Sequence, residues 1–253
     1  MTVQSPSERS TDPLARLRAL TEARVGLGRA GAALPTAPML AFQRDHALAR
    51  DAVHAPFDAA GVAAALSPRT TVAVRSQARD RAEYLRRPDL GRRLDPGDVA
   101  RLTGGDWDLA IVLADGLSAP AVHAHAAPTA LALIARLPGW RIAPPVLATL
   151  ARVALGDEIG ARLGARLVLV LIGERPGLSA PDSLGAYLTW SPRIGRLDSE
   201  RNCVSNIRPP HGLGYEAAAD TLAWLLRAAR GRRLTGVSLK DDSDSHGGSA
   251  ALD

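Results

Sequence analysis

Two segments of the chain are apolar at every position. Leu109-Ala-Ile-Val-Leu113 and Leu167-Val-Leu-Val-Leu-Ile172 contain no polar residue. Both have strand length, and unbroken apolarity is what a strand buried on two faces requires. Asp115-Gly116 breaks the first run, and Gly173-Glu-Arg-Pro-Gly177 ends the second. Thr70 to Val74, Pro144 to Leu150, Ala186 to Trp190 and Gly236 to Leu239 read as further strands. Helical spacing fills the gaps between them. Ser118 can cap a helix running to about Arg136. Gly156-Asp157-Glu158 opens another, with acids in the first turn where the helix dipole favours them. Tyr215 to Arg230 is amphipathic, and Arg201 to Asn206 reads as a polar loop. This alternation predicts an α/β, Rossmann-like domain over 101–240. Its sheet should be mostly parallel, with helices on both faces.

The first hundred residues have another character. Residues 1–12 are polar and expected to be disordered. Leu14, Leu17 and Leu20 recur at helical spacing, and a Gly/Pro-rich stretch runs from Gly26 to Pro38. Met39 to Val53 reads as a helix, and the preceding Pro35-Thr-Ala-Pro38 is not expected to start a long one. Val62 to Leu66 suggests a further turn, and Arg79 to Arg87 a helix ending at Pro88. Residues 75–100 are charged and look like a linker. The expectation is therefore a helical extension and linker over 13–100. The Ser/Gly/Asp-rich tail 241–253 is expected to be disordered.

Composition narrows the function classes. The 253 residues carry a net charge of +5, and the isoelectric point is 10.2. Lys240 is the only lysine, so 30 of the 31 basic residues are arginine. These alternate with acids, as in Arg79-Asp-Arg-Ala-Glu83. With 4% aromatic residues, that pattern describes solvated faces rather than a nucleic-acid surface. No run has the length of a membrane helix. The first ten residues lack the apolar core of a secretory signal. One cysteine, Cys203, excludes an internal disulfide. A cytoplasmic protein is expected.

Several motifs compete for the function. Gly26-Leu-Gly-Arg-Ala-Gly31 matches a dinucleotide fingerprint, with Asp51 at the distance of a ribose-binding acid. It lacks the strand before it and the helix opening at it that the chemistry needs. A stand-alone nucleotide-binding oxidoreductase is thus the alternative reading. No Gly-Lys-Ser/Thr motif is present. His123 and His125, two apart on a helix, face apart and make poor joint metal ligands. Asp244-Ser-His246 resembles the start of a base-off cobalamin motif but has Ser249 at the glycine position. Asp115 reads as a helix cap, and Glu174 with Arg175 as a salt bridge. Cys203 with His211 forms a conceivable thiol pair. No serine nucleophile elbow and no paired catalytic carboxylates stand out. The loops at Asp115-Gly116, Ala151-Arg-Val153 and Gly173–Gly177 follow three candidate strands. In an open α/β sheet such ends line one crevice.

Taken together, several of these segments carry a family resemblance. They are Arg24–Gly31, Phe42-Gln-Arg-Asp-His46 through His54, Ala114–Ser118, Gly173–Leu178, Asp182–Tyr187 and Arg201–Ile207. In this order they resemble the small (light) subunit of ethanolamine ammonia-lyase, over about Arg24 to Lys240. The resemblance implies an adenosylcobalamin enzyme with a larger TIM-barrel subunit that holds most of the ethanolamine site. It implies radical deamination to acetaldehyde and ammonia, with the cofactor base-on and capped by the small subunit. It further implies cobalamin contacts at Val153, Glu174 and Cys203, none of them catalytic. The Gly26–Gly31 loop and the Phe42–His54 helix become expected contacts with the large subunit. The family's association with bacterial microcompartments is part of what it implies, although the N-terminal extension here is short.

Overall fold

The computed structural model describes residues 14–240. The expectations for 1–12, for the tail 241–253 and for Asp244-Ser-His246 lie outside the described residues. The chain begins with α1 (Ala15–Leu20), α2 (Thr36–His54) and α3 (Ala59–Ala65). Then come β1 (Val72–Arg75), α4 (Arg81–Arg86) and two 3-10 turns, Leu90–Arg92 and Pro96–Arg101. β2 (Trp107–Ala114) leads into α5 (Ala119–Ala121), which passes through a π turn at Val122–Ala126 into α6 (Ala127–Ala135). β3 (Val146–Thr149), α7 (Leu155–Leu163) and β4 (Ala165–Gly173) follow. β5 (Leu184–Trp190), β6 (Arg201–Ile207) and α8 (Tyr215–Arg232) complete the fold.

The six strands form one sheet in the order β1-β3-β2-β4-β5-β6. β1, β3, β2 and β4 are mutually parallel. β5 and β6 run antiparallel to their neighbours. The fold is α/β, as expected, with four of the six strands parallel; the antiparallel β5 and β6 make the sheet mixed, and there it departs from the Rossmann-like expectation. Only the residues 174–183 join β4 to β5, with no helix among them. A parallel return needs about a dozen residues or more, usually a helix.

Alternation along the two apolar strands splits the core. Leu109, Ile111, Leu113, Leu167, Leu169 and Leu171 face α6 and α8. Ala110, Val112, Ala114, Val168 and Val170 face α7. The smaller side chains on the second face let α7 lie close. Two helix glycines match them: a Cβ on Gly156 would collide with Val170, and one on Gly160 with Pro192 and Val168. This contact fixes where α7 begins and so where Val153 stands.

Three local expectations are corrected. Arg201–Ile207 is a strand, not a loop, with Arg201, Val204 and Ile207 buried at a stagger that hides its alternation. Gly236–Leu239 is not a strand. It is a turn held by side chains: Asn202 Nδ2 donates to the Leu239 carbonyl at 2.7 Å, and the Gly236 N–H to Asn202 Oδ1 at 2.8 Å. α2 does start within Pro35-Thr-Ala-Pro38, with Pro35 as its N-cap residue. Pro38 falls in the first turn, where an N–H would have no helical partner.

The sheet also draws on the segment read as extension and linker, because β1 is its edge strand. Residues after β1 fold back on it. The Asp95 N–H donates to the Arg75 carbonyl at 3.0 Å, and Ser76 bridges Leu94. α2, by contrast, buries only Ala52 and leaves Met39, Leu40, Phe42 and Leu48 exposed.

The antiparallel edge is tied to α7 by a buried ion pair. Arg201 donates to both oxygens of Asp157 at 2.7 Å and to Thr189 Oγ1 at 2.8 Å. The two side chains are 2% and 1% exposed. Asp157→Ala leaves a buried guanidinium without its partner and should cost about 3–5 kcal/mol in urea unfolding. Asp157→Ala combined with Arg201→Met should recover much of that loss. Equal loss in the single and double variants would show that burial of the lone charge is not the cause.

Candidate functional site

The three loops named from the sequence meet at one open cleft of about 180 Å³. Gly116 and Leu117 come from the end of β2, Arg152 and Val153 follow β3, and Gly173 to Arg175 close β4. Tyr84 of α4 and Tyr187 of β5 complete the walls. The cleft lies at the carboxyl ends of the parallel strands, on the α7 side of the sheet. Close approach of two loops makes it possible. Gly116 has φ +55°, and a Cβ there would strike the Gly173 carbonyl. The Leu117 N–H donates to that carbonyl at 2.9 Å.

Asp115 is buried beneath the cleft and does more than border a helix. One carboxylate oxygen accepts the Ala151 N–H at 3.0 Å. The other lies 3.3 Å from Arg81 Nη1, which also donates to the Gly116 carbonyl at 2.8 Å. Asp115 thus joins β2, the loop after β3, and α4. Burial pushes its pKa up to about 6, against the pull of the Ala151 N–H and Arg81. The helix cap is Ser118, whose Oγ accepts the Ala121 N–H at 3.3 Å and donates to the Pro181 carbonyl at 2.8 Å.

Glu174 has no cation partner among the described residues, so the expected salt bridge with Arg175 is not formed. Neutral donors hold its carboxylate instead. Ser205 Oγ donates at 2.6 Å, Ser183 Oγ donates to the other oxygen, and the Asn206 N–H reaches it at 3.4 Å. These bonds orient the group without neutralising it, and they leave acceptor capacity on both oxygens.

Val153 and Glu174 therefore line the same cleft. Cys203 is exposed and lies directly across the strand pair from Tyr187, which lines the cleft, though Cys203 itself does not. The Cys203 thiol is raised above its ordinary value, first by desolvation and also by the nearby Glu174 charge. A protonated thiol is a poor nucleophile. His211 is engaged elsewhere, with Glu22 at 3.2 Å. Sequence reasoning missed Tyr84, Ser183, Ser205 and Tyr187 as parts of the site. The last three stand in segments already singled out, but their roles depend on the β4–β5–β6 pairing.

The remaining motifs are structural. Gly26, Gly28 and Gly31 all have positive φ, but α1 precedes them and no helix opens until Thr36. Asp51 lies on α2 beside Arg50. His123 Nε2 accepts the Asp58 N–H at 2.9 Å, and its ring stacks on Phe57. His125 is buried, with Nδ1 2.9 Å from the Tyr215 hydroxyl. Among the described residues no group of three or more His, Cys, Asp or Glu could hold a metal. Among them, too, no helix is long and apolar enough to cross a membrane.

The described residues thus form an α/β chain with an open cleft at its strand ends and one oriented carboxylate in that cleft. Residues 11–240 match the family model for the ethanolamine ammonia-lyase light chain (EutC). A relative from Ralstonia nicotianae, an ethanolamine ammonia-lyase small subunit, is 53% identical over 250 residues, 95% of this chain and 92% of the relative. The small subunit of the same name from Azotobacter vinelandii is 54% identical over 254 residues, 96% and 93% of the two chains. That from Bradyrhizobium diazoefficiens is 56% identical over 240 residues, 91% of each. The chain belongs to the ethanolamine ammonia-lyase small-subunit family and is a subunit of a lyase.

Asp115 makes stability depend on pH in a defined window. With a folded pKa near 6 against an unfolded value near 3.8, the folded state holds a proton that the unfolded state releases. Stability from this group therefore rises as pH falls through about 6 and levels off below about 4. Relative to Asp115→Asn, the native chain should gain roughly 2–3 kcal/mol between pH 7 and pH 4. Urea unfolding at several pH values measures this. A constant difference between the two proteins would contradict it.

Proposed function

We propose that this chain caps adenosylcobalamin in an ethanolamine ammonia-lyase, at its interface with a larger subunit. The observation that carries this reading is the joining of Val153 and Glu174 in one cleft, with Cys203 across the strand pair from its Tyr187 wall. The cleft volume of about 180 Å³ is below the ~300–1,000 Å³ of sites that enclose a drug-sized ligand. A corrinoid is larger still, so this chain takes one edge of it and the large subunit takes the rest.

The residues present suit that edge. Val153, Leu117 and Ile172 offer apolar contact. Glu174, held by neutral donors, accepts amide N–H groups from the ligand rim. Cys203 gives close approach with a neutral thiol. When bound, adenosylcobalamin supplies the radical that starts conversion of ethanolamine to acetaldehyde and ammonia. This chain's residues hold and shield the cofactor, and the TIM-barrel large subunit binds most of the substrate. Residues 13–100 supply contacts to that subunit through the Gly26–Gly31 loop and the exposed Met39, Leu40 and Phe42 of α2. The assembly works in the cytoplasm, with a bacterial microcompartment as its alternative setting.

The test uses the complex of both subunits. Glu174→Gln should weaken cobalamin binding roughly tenfold or more in an absorbance titration, with the KM for ethanolamine nearly unchanged. The isolated chain should release no acetaldehyde. Unchanged cobalamin affinity in the variant, or turnover by the chain alone, would refute the reading.

A further inference from the structure

Arg152 stands in the cleft wall beside Val153 and is partly buried. Its backbone N–H donates to the Gly91 carbonyl at 2.8 Å. Its guanidinium lies 4.2 Å from the centre of the Tyr84 ring. One Nη reaches the Tyr84 carbonyl only at 3.4 Å. Its Nε is buried and has no hydrogen-bond partner. Among the described residues no carboxylate lies within ion-pair distance. That sets it apart from Arg81, Arg162 and Arg201, which pair with Asp115, Glu158 and Asp157.

The neighbours do not supply the missing acceptor. The Tyr84 hydroxyl donates to the Ala151 carbonyl at 3.0 Å, and Asp115 is taken by the Ala151 N–H and Arg81. Glu174 is held by Ser183 and Ser205. Packing on Tyr84 explains how Arg152 is held, but not why a buried cationic N–H has no acceptor, which is unfavourable in a closed protein. The cleft thus carries an acceptor, Glu174, and beside it the donor-only Arg152, with Arg175 a second guanidinium in its wall. A ligand edge that carries both N–H donors and oxygen acceptors satisfies both.

We infer that Arg152 binds an oxygen acceptor of the ligand, a phosphodiester oxygen or an amide carbonyl, beside the N–H groups taken by Glu174. This rests on the cobalamin reading above. In that ligand both kinds of oxygen occur, and the two sources can be separated. Cobinamide keeps the side-chain amides and lacks the phosphodiester and its nucleotide.

The experiment titrates the two-subunit complex with hydroxocobalamin and, separately, with cobinamide, following absorbance. Arg152→Met keeps the stem over Tyr84 and removes the charge. It should weaken hydroxocobalamin by roughly ten- to a hundredfold, with partial recovery in Arg152→Lys. A loss confined to hydroxocobalamin assigns Arg152 to the phosphodiester, and an equal loss for both ligands assigns it to an amide carbonyl. Unchanged affinity for both, in a variant that unfolds at the native temperature, overturns the inference and leaves Arg152 a packing residue. Arg152→Gln serves the same test if the Met variant does not assemble. Failure of the native complex to take up either corrinoid would instead refute the cobalamin reading itself.

Discussion

The pairing of Arg201 with Asp157 joins α7, packed on the parallel strands, to the antiparallel edge strand β6. Asp157 lies in the first turn of α7, packed on the parallel strands. Arg201 opens the antiparallel edge strand, two strands away from that helix's main contact. Desolvating both charges is unfavourable, and an apolar pair of the same volume often does as well. What an apolar pair cannot supply is register. The bidentate fork fits only one placement of β6 along β5, with Thr189, the Arg196 carbonyl and Asp198 taking the guanidinium's other bonds. That placement sets Cys203 opposite Tyr187 and brings Ser205 to Glu174. The binding edge is therefore fixed from a point well below it.

The same economy governs the carboxylates near the cleft. Asp115 and Glu174 both follow apolar strands, and their surroundings divide their roles. Asp115 is enclosed, bonded to Ala151 and Arg81, and ties backbone segments together. Glu174 is reached by two serine hydroxyls and the Asn206 N–H and by no cation among the described residues, so its carboxylate stays available at the surface. A guanidinium in place of those hydroxyls would have made Glu174 a structural group too. The absence of that cation is what separates an anchor from a contact.

Much of the scaffold was legible because burial on two faces leaves an unmistakable signature. Leu109–Leu113 and Leu167–Ile172 could hardly be anything but central strands, and the cleft position follows from where they end. β6 was not legible. Of Arg201, Asn202, Cys203, Val204, Ser205, Asn206 and Ile207, only two are strongly apolar. The first is buried only because Asp157, 44 residues earlier, neutralises it. The antiparallel turn of the sheet was hidden for a related reason: it depends on a missing helix, not on a residue. Val153 and Glu174 were found through family resemblance and strand-end reasoning. Tyr84, Ser183 and Ser205 needed contacts between segments far apart in the chain.

Both borders of the sheet are partly covered by the chain itself. Beyond β1, the Asp95 N–H and the Ser76–Leu94 bridge occupy backbone groups. Beyond β6, the Asn202 amide locks the Gly236–Leu239 turn alongside. An uncovered border invites strand addition by any passing extended peptide, which is how sheets polymerise. Here the covered stretches narrow that route, so side-chain fit on helical and loop surfaces carries more of the selectivity toward other chains, a stricter filter than backbone bonding.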